Sequence, residues 1–258
     1  MSDNYSRAPS GWDPVADWYD GWVGHDGSHH HQKLAIPAVL QLLNPQPDEH
    51  ILDVGCGQGV LAPHLADRGV SYTGIDISRK MISTARKRHR GCGRFLRGDA
   101  RYLNRVSAVR AGSFDAAVFM LSIEDMNPLE EVIQSTVWAL RRTGRIVLLL
   151  RHPCFRVPRQ SGWGHDPDRK LRYRRVDSYL TPQSVPMKAY EKSDSGVTIS
   201  FHRPLHHYIN TLAGHGFMVN YLDELVTFKQ TRDRAERRAN EEFPLFMALR
   251  AQGIGAAG

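Results

Sequence analysis

Cysteine is scarce in this chain of 258 residues: Cys56, Cys92 and Cys154 are the only three. An odd, widely spaced set builds neither a disulfide framework nor a zinc site, and it fits a reducing, cytoplasmic setting. Long apolar runs are missing as well. The longest aliphatic stretch, Ile146 to Leu150, is far too short to span a bilayer. Met1 to Ser10 is polar and has no apolar h-region, so no secretory signal is expected. What is present is ordinary, with 41% hydrophobic and 24% charged residues. That is enough for one sizeable core with a cap.

The net charge of +7 raises nucleic acid as a partner. Its arginines, however, are spread over Arg79 to Arg97, Arg101 to Arg110, Arg141 to Arg145, Arg156 to Arg175 and Arg232 to Arg238. Spread charge reads as solvated faces, whereas a nucleic-acid stripe needs clustering. RNA stays an alternative partner behind a small-molecule substrate.

The most informative segment is Ile-Leu-Asp-Val-Gly-Cys-Gly-Gln-Gly at residues 51 to 59, followed by Thr73-Gly-Ile-Asp76. Ile51 to Val54 reads as a buried parallel strand. Gly55, Gly57 and Gly59 let the backbone turn and approach a ligand without a Cβ in the way, and Cys56 inside that turn is small enough to fit. A helix over Val60 to Asp67 then aims its free N–H groups at the same crevice. Tyr72 to Ile75 is the next strand, and Asp76 at its carboxyl end is suited to a ribose diol. Asp53 at the mouth of the turn repels a pyrophosphate but suits the ammonium of an amino-acid moiety, directly or through water.

The Gly-x-Gly-x-Gly spacing preceded by Asp53 resembles motif I of the class I, Rossmann-like, S-adenosylmethionine (SAM)-dependent methyltransferases. The resemblance covers roughly residues 48 to 251. It implies SAM as cofactor, S-adenosylhomocysteine (SAH) as product, and a set of contacts. Asp53, the backbone of Gly55 to Gly57 and Tyr19 would meet the methionine end, Asp76 the ribose, and Ile77 the adenine face. Asp99 would accept from the exocyclic amine while Ala100 donates its N–H; a helix N-cap is an equal reading of Asp99. Leu121 and Ser122 fall beside the sulfonium and the incoming substrate.

The remaining segments alternate as a doubly wound α/β sheet, mostly parallel and seven-stranded with an antiparallel last strand. Further strands are expected at Arg94–Leu96, Phe114–Leu121, Ile146–Leu150, Phe217–Leu225 and Leu245–Leu249. A helix opened by Pro128 and ended by Gly144 is expected, and another over Leu205–Ala213. The final two strands are expected to join through the charged segment Arg232 to Glu242 without a regular helix. Residues 1–47 read as a helical lead-in, 48–251 as the catalytic domain, 152–203 as an inserted lid and 252–258 as a tail.

Methyl transfer to oxygen or carbon gains from a general base, and histidine is poised for that near neutral pH. His152, directly after the fifth strand, and His202, in Phe201-His-Arg-Pro-Leu205, are the two choices; each reads equally as a structural turn residue. His29 to His31 cannot all ligate one ion from consecutive positions, so no metal is expected and they read as surface or pocket-lining histidines. Trp12, Trp18, Trp22, Trp163, Tyr173 and Tyr179 offer an apolar substrate pocket or pack the lid. Arg151, Arg156, Arg159 and Arg203 hint at an anionic acceptor. The expected activity is methylation of a small molecule at O, N or C. RNA methylation and non-catalytic SAM binding are the alternatives, and the oligomeric state is open.

Overall fold

The computed structural model describes residues 11–188 and 196–255. The polar Met1 to Ser10, residues 189–195 of the insertion and residues 256–258 of the tail lie outside the described residues.

A seven-stranded sheet carries the fold. In chain order its strands are β1 (His50–Val54), β2 (Ser71–Asp76), β3 (Arg94–Arg97), β4 (Phe114–Met120), β5 (Leu140–Arg151), and then β10 (Phe217–Leu225) and β11 (Phe246–Gly253). The spatial order is β10-β11-β5-β4-β1-β2-β3. β1 pairs in parallel with both β2 and β4, while β11 runs antiparallel to β5 and β10. This is the doubly wound sheet with a reversed last strand that the pattern implied. The order reverses between β1 and β4, so a crevice opens at their carboxyl ends, the usual ligand edge of such sheets.

Alternation of side chains divides the core into two layers. Ile51, Ala116, Val118, Val147 and Leu149 face α2 (Ile36–Leu43), α3 (Ala62–Ala66) and α4 (Arg79–Arg88). Leu52, Ala117, Phe119, Ile146 and Leu148 face α5 (Leu129–Ala139) and α6 (Leu205–Gly214). Local signals set the helix ends. Ser78 Oγ accepts the Met81 N–H at 3.1 Å and caps α4. The lead-in supplies α1 (Trp12–Val23) and a π-helical turn, His31–Ala35, that runs into α2.

Several expected boundaries move. The first helix is shorter than Val60 to Asp67, and α5 stops at Ala139, so that Gly144 sits inside β5. The last two strands are joined through a helix, α7 (Arg234–Glu242), which corrects the expected irregular connection. Asp233 caps it by accepting the Glu236 N–H at 2.6 Å.

The insertion is two separate antiparallel hairpins, β6 (Ser161–Asp166) with β7 (Leu171–Val176), and β8 (Gln183–Lys188) with β9 (Val197–His202). The first packs away from the crevice, with Arg172 paired to Glu236 of α7 at 2.6 Å and Trp163 against Phe243. The second turns Val197, Ile199 and Phe201 towards the crevice.

Candidate active site

The glycine turn after β1 is tied to β2. The Gly55 and Cys56 N–H groups both donate to the Ile75 carbonyl, at 2.7 and 3.0 Å. Gly55 has φ +75°, and a Cβ there would lie 2.6 Å from Ser122 Cβ and Met126 Cε. Gly57, at φ +54°, faces open space. A side chain is thus excluded at the first glycine by packing, and at the second by its left-handed backbone. Gly59 stands away from the cavity, where a Cβ would meet Phe95 Cε1 at 2.6 Å.

The turn opens onto a cavity of about 310 Å³, near the lower end of the roughly 300–1,000 Å³ common for small-molecule sites. Gly55, Cys56, Gly57, Asp76, Ile77, Asp99, Ala100, Leu121, Ser122 and Tyr19 all line it. Asp76 is held by its neighbours, Oδ2 accepting the Gly57 N–H at 2.9 Å and Oδ1 the Ser78 N–H at 2.8 Å. Burial raises its pKa against these hydrogen bonds. Carboxylate oxygens accept more than one donor, so both can still take hydroxyls. Asp99 caps a 3₁₀ turn, Ala100–Arg105, by accepting the Arg101 N–H at 2.9 Å, and it pairs with the Arg101 guanidinium at 2.7 Å. The helix-cap geometry is therefore present, at a residue that also borders the cavity. Leu121 adopts φ +57°, a strained conformation for a branched residue.

Asp53 departs from expectation. It is buried, does not line the cavity, and accepts the Tyr72 hydroxyl at 2.7 Å, while its Oδ1 has no partner. Burial pushes its pKa up to about 7. A carboxyl sealed in this way is at odds with direct contact to a ligand amine.

The two histidines also stand elsewhere. His152 donates from Nε2 to Glu224 at 2.6 Å while Nδ1 accepts the Cys154 N–H at 3.2 Å. His202 donates from Nε2 to the Tyr179 carbonyl at 2.7 Å. Neither lines the cavity, and both rings are engaged within the fold away from the glycine turn. The four arginines of the anionic hint are engaged within the chain. Arg151 pairs with Glu124 at 2.5 Å, Arg156 donates to the Phe243 and Pro244 carbonyls, Arg159 to the Pro186 carbonyl, and Arg203 to the Asn127 side chain. Of the tryptophans and tyrosines read as pocket or lid residues, Trp12 joins Tyr19 in the cavity wall, while Trp22 and Tyr173 are exposed.

Further polar residues line the cavity. His31 is buried, with Nδ1 at 2.9 Å from Ser28 Oγ, and burial lowers its pKa to about 4, so its ring is neutral. Gln58 donates to the Gly24 carbonyl at 2.6 Å and leaves a buried Oε1 without a partner. Asp125, in the short turn after β4, is the third cavity carboxyl. Of the three consecutive histidines, read as surface or pocket-lining, His31 is the one that lines the cavity. The β9 contribution did carry a signal, the alternation Val197-x-Ile199-x-Phe201.

Residues 51–144 match a family model described as a methyltransferase domain. A SAM-dependent methyltransferase structure from Mesorhizobium loti superposes with a TM-score of 0.68 at 25% identity, over 89% of this chain and 100% of that one. An O-methyltransferase of Pyrenophora dematioidea is 38% identical over 114 residues, 42% of this chain and 41% of the relative. An 18S rRNA (guanine(1575)-N(7))-methyltransferase of Saccharomyces cerevisiae is 38% identical over 106 residues, 40% of this chain and 36% of the relative. The matches to these two curated relatives thus span about two-fifths of each relative's length. Residues 51–144 thus match a methyltransferase domain, set in a class I, Rossmann-like fold shared with SAM-dependent methyltransferase structures. No helix among the described residues is long and apolar enough to cross a membrane.

Proposed function

We propose that this chain methylates a small molecule within the cavity between the β1–β4 crevice and the β8–β9 hairpin. One observation carries the reading: a single cavity reaches from Asp76 and Asp99 on the cofactor side to Trp12, Ile199 and Phe201 on the other. An apolar chamber with few polar groups suits a small acceptor. SAM supplies an activated methyl group and a neutral leaving group. The protein's part is to orient the acceptor and exclude water.

Asp76 would take the ribose hydroxyls, Ile77 the adenine face, and Asp99 with the Ala100 N–H the adenine edge. Gly55 to Gly57, Tyr19, His31 and Gln58 would surround the methionine end, and Leu121 and Ser122 border the transfer point. The β8–β9 hairpin acts as the lid. The O-methyltransferase relative supports oxygen as acceptor atom, without deciding it.

Calorimetric titration with SAM tests the reading. Micromolar binding that Asp76→Ala weakens is expected; no binding at high micromolar SAM overturns it. RNA methylation is the second reading, favoured by the net charge of +7 and by the yeast rRNA relative. Steep salt-dependent tRNA binding would support it. SAM binding with no methylation of any compound in a broad metabolite panel would instead point to a regulatory role.

A further inference from the structure

The far end of the cavity is walled by Trp12 of α1, by Val197, Ile199 and Phe201 of β9, and by Met126 after β4. The two walls meet closely: a Cβ on Gly11 would stand 2.5 Å from the Val197 carbonyl oxygen. Among the described residues, three aspartates line the cavity, and two are engaged by backbone, Asp76 through Gly57 and Ser78, and Asp99 through Arg101. Asp125 is the third. Its charged neighbours are largely committed elsewhere. Glu124 accepts the Arg151 N–H at 2.7 Å and its Nε at 2.5 Å, while Arg203 donates to the Met126 carbonyl and to Asn127 at 3.0 Å.

We infer that Asp125 takes the proton from a hydroxyl-bearing, otherwise apolar acceptor seated between Trp12 and β9, a role that rests on the methyltransferase reading. The acceptor O–H bond breaks towards an Asp125 oxygen as the hydroxyl oxygen bonds to the methyl carbon. The methyl–sulfur electron pair stays with sulfur, leaving neutral SAH and a protonated Asp125.

Burial pushes the Asp125 pKa up to about 8, helped by Glu124 and opposed by Arg151, a Ser200 hydrogen bond and Arg203. Facing it from α1, Tyr19 is itself raised by burial and by the charges of Asp125 and Asp76, so its phenol stays protonated and cannot serve as the base. A carboxyl titrating near the working pH has the proton affinity a general base needs. An ammonium held by this carboxylate would lack the lone pair to attack, and an anionic acceptor would be repelled. Both considerations favour a neutral hydroxyl.

The test measures binding of 2-naphthol, its methyl ether, 2-naphthoate and 2-(aminomethyl)naphthalene to the SAH complex, in wild type and Asp125→Asn, from pH 6.5 to 9. A hydrogen bond to a charged acceptor exceeds a neutral one by about 1 kcal/mol. Naphthol should therefore bind roughly 5- to 10-fold tighter at high pH in wild type and show a flat profile in the variant. The ether should be weaker throughout, and SAH affinity should agree within about 3-fold between the two proteins. Equal binding of naphthol and its ether, tighter binding of the amine or the carboxylate, or an unchanged pH profile in Asp125→Asn overturns the assignment alone. Failure of wild type to bind SAH overturns the methyltransferase reading and the base with it.

Discussion

The two ends of the cavity are built differently. The frame of the cofactor side comes from one continuous stretch, with β1, the glycine turn, β2 and Asp76 within residues 50–76, to which Asp99, Ala100, Tyr19 and His31 are added. The acceptor side is assembled from Trp12 and from residues near 121–127 and 197–201, which meet only in the folded chain. A local site is fixed by backbone conformation, so its residue types are constrained by steric rules. A composite site is fixed by long-range packing, and its side chains can vary while the fold persists. The cofactor end should therefore respond to substitution through backbone and charge, and the acceptor end through shape.

The largest effect is expected behind the turn, at Asp53. Its folded pKa of about 7 lies well above the ordinary carboxyl value of 3.8, so the native state holds a proton that the unfolded chain gives up. Stability should fall as pH rises from about 4 to 7 and level off above. At about 1.4 kcal/mol per pKa unit, the loss is on the order of 4 kcal/mol. Asp53→Asn should lessen that slope, leaving the part contributed by the raised Asp125 and Asp76, when denaturant unfolding is compared across the window. An identical slope would mean that Asp53 ionises freely and is open to the cavity.

Asp76→Ala follows. Losing hydrogen bonds to a charged group costs about 1.5–3 kcal/mol, so SAM affinity should drop roughly 10- to 150-fold in calorimetry. An unchanged affinity would break the comparison at its better-defined end.

Much of this was legible, and the reason lies in where the information sits. The strand-turn-helix of Ile51 to Gly59 and the acid at Asp76 were readable because glycine at positive φ and a carboxylate at a strand end have few alternatives. The seven strands were readable from short apolar runs between turns. For Asp53 the sequence shows its closeness to the turn and not the Tyr72 hydroxyl that closes over it. The insertion was opaque since its β6–β7 hairpin leans on α7, an element far along the chain and itself unexpected. Asp125 carried no signal at all: one acid beside another in Ile-Glu-Asp-Met gives no hint of which points inward.

On the acceptor side, Ile199→Ala enlarges the chamber without touching Asp76 or the glycine turn. Removing a buried aliphatic contact from a binding pocket is worth about 1–3 kcal/mol, so KM for a bulky acceptor should rise at least about 5-fold. SAM affinity should change less than about 2-fold. Coupled loss of both would show that the two ends are not separable.

The smallest effects are expected at His152 and His202. His152 uses both ring nitrogens, donating to Glu224 and accepting from Cys154. Burial lowers its pKa, and the Glu224 hydrogen bond only partly offsets this. A neutral native imidazole contributes stability above the unfolded pKa near 6.5, and that contribution is lost as pH falls through it. His152→Ala should therefore reduce stability by about 1–3 kcal/mol through its unpaired neighbours, with a smaller penalty below pH 6. His202→Ala leaves only the Tyr179 carbonyl unsatisfied and should cost less. Methyl-transfer rates at saturating substrate should stay within about 3-fold of wild type in both variants, and their pH–rate profiles should keep their shape. A base removed from the site would instead cut the rate about 10²- to 10⁴-fold, so a loss of that size in either variant would move the chemistry from Asp125 to the strand edge at β5 and β9.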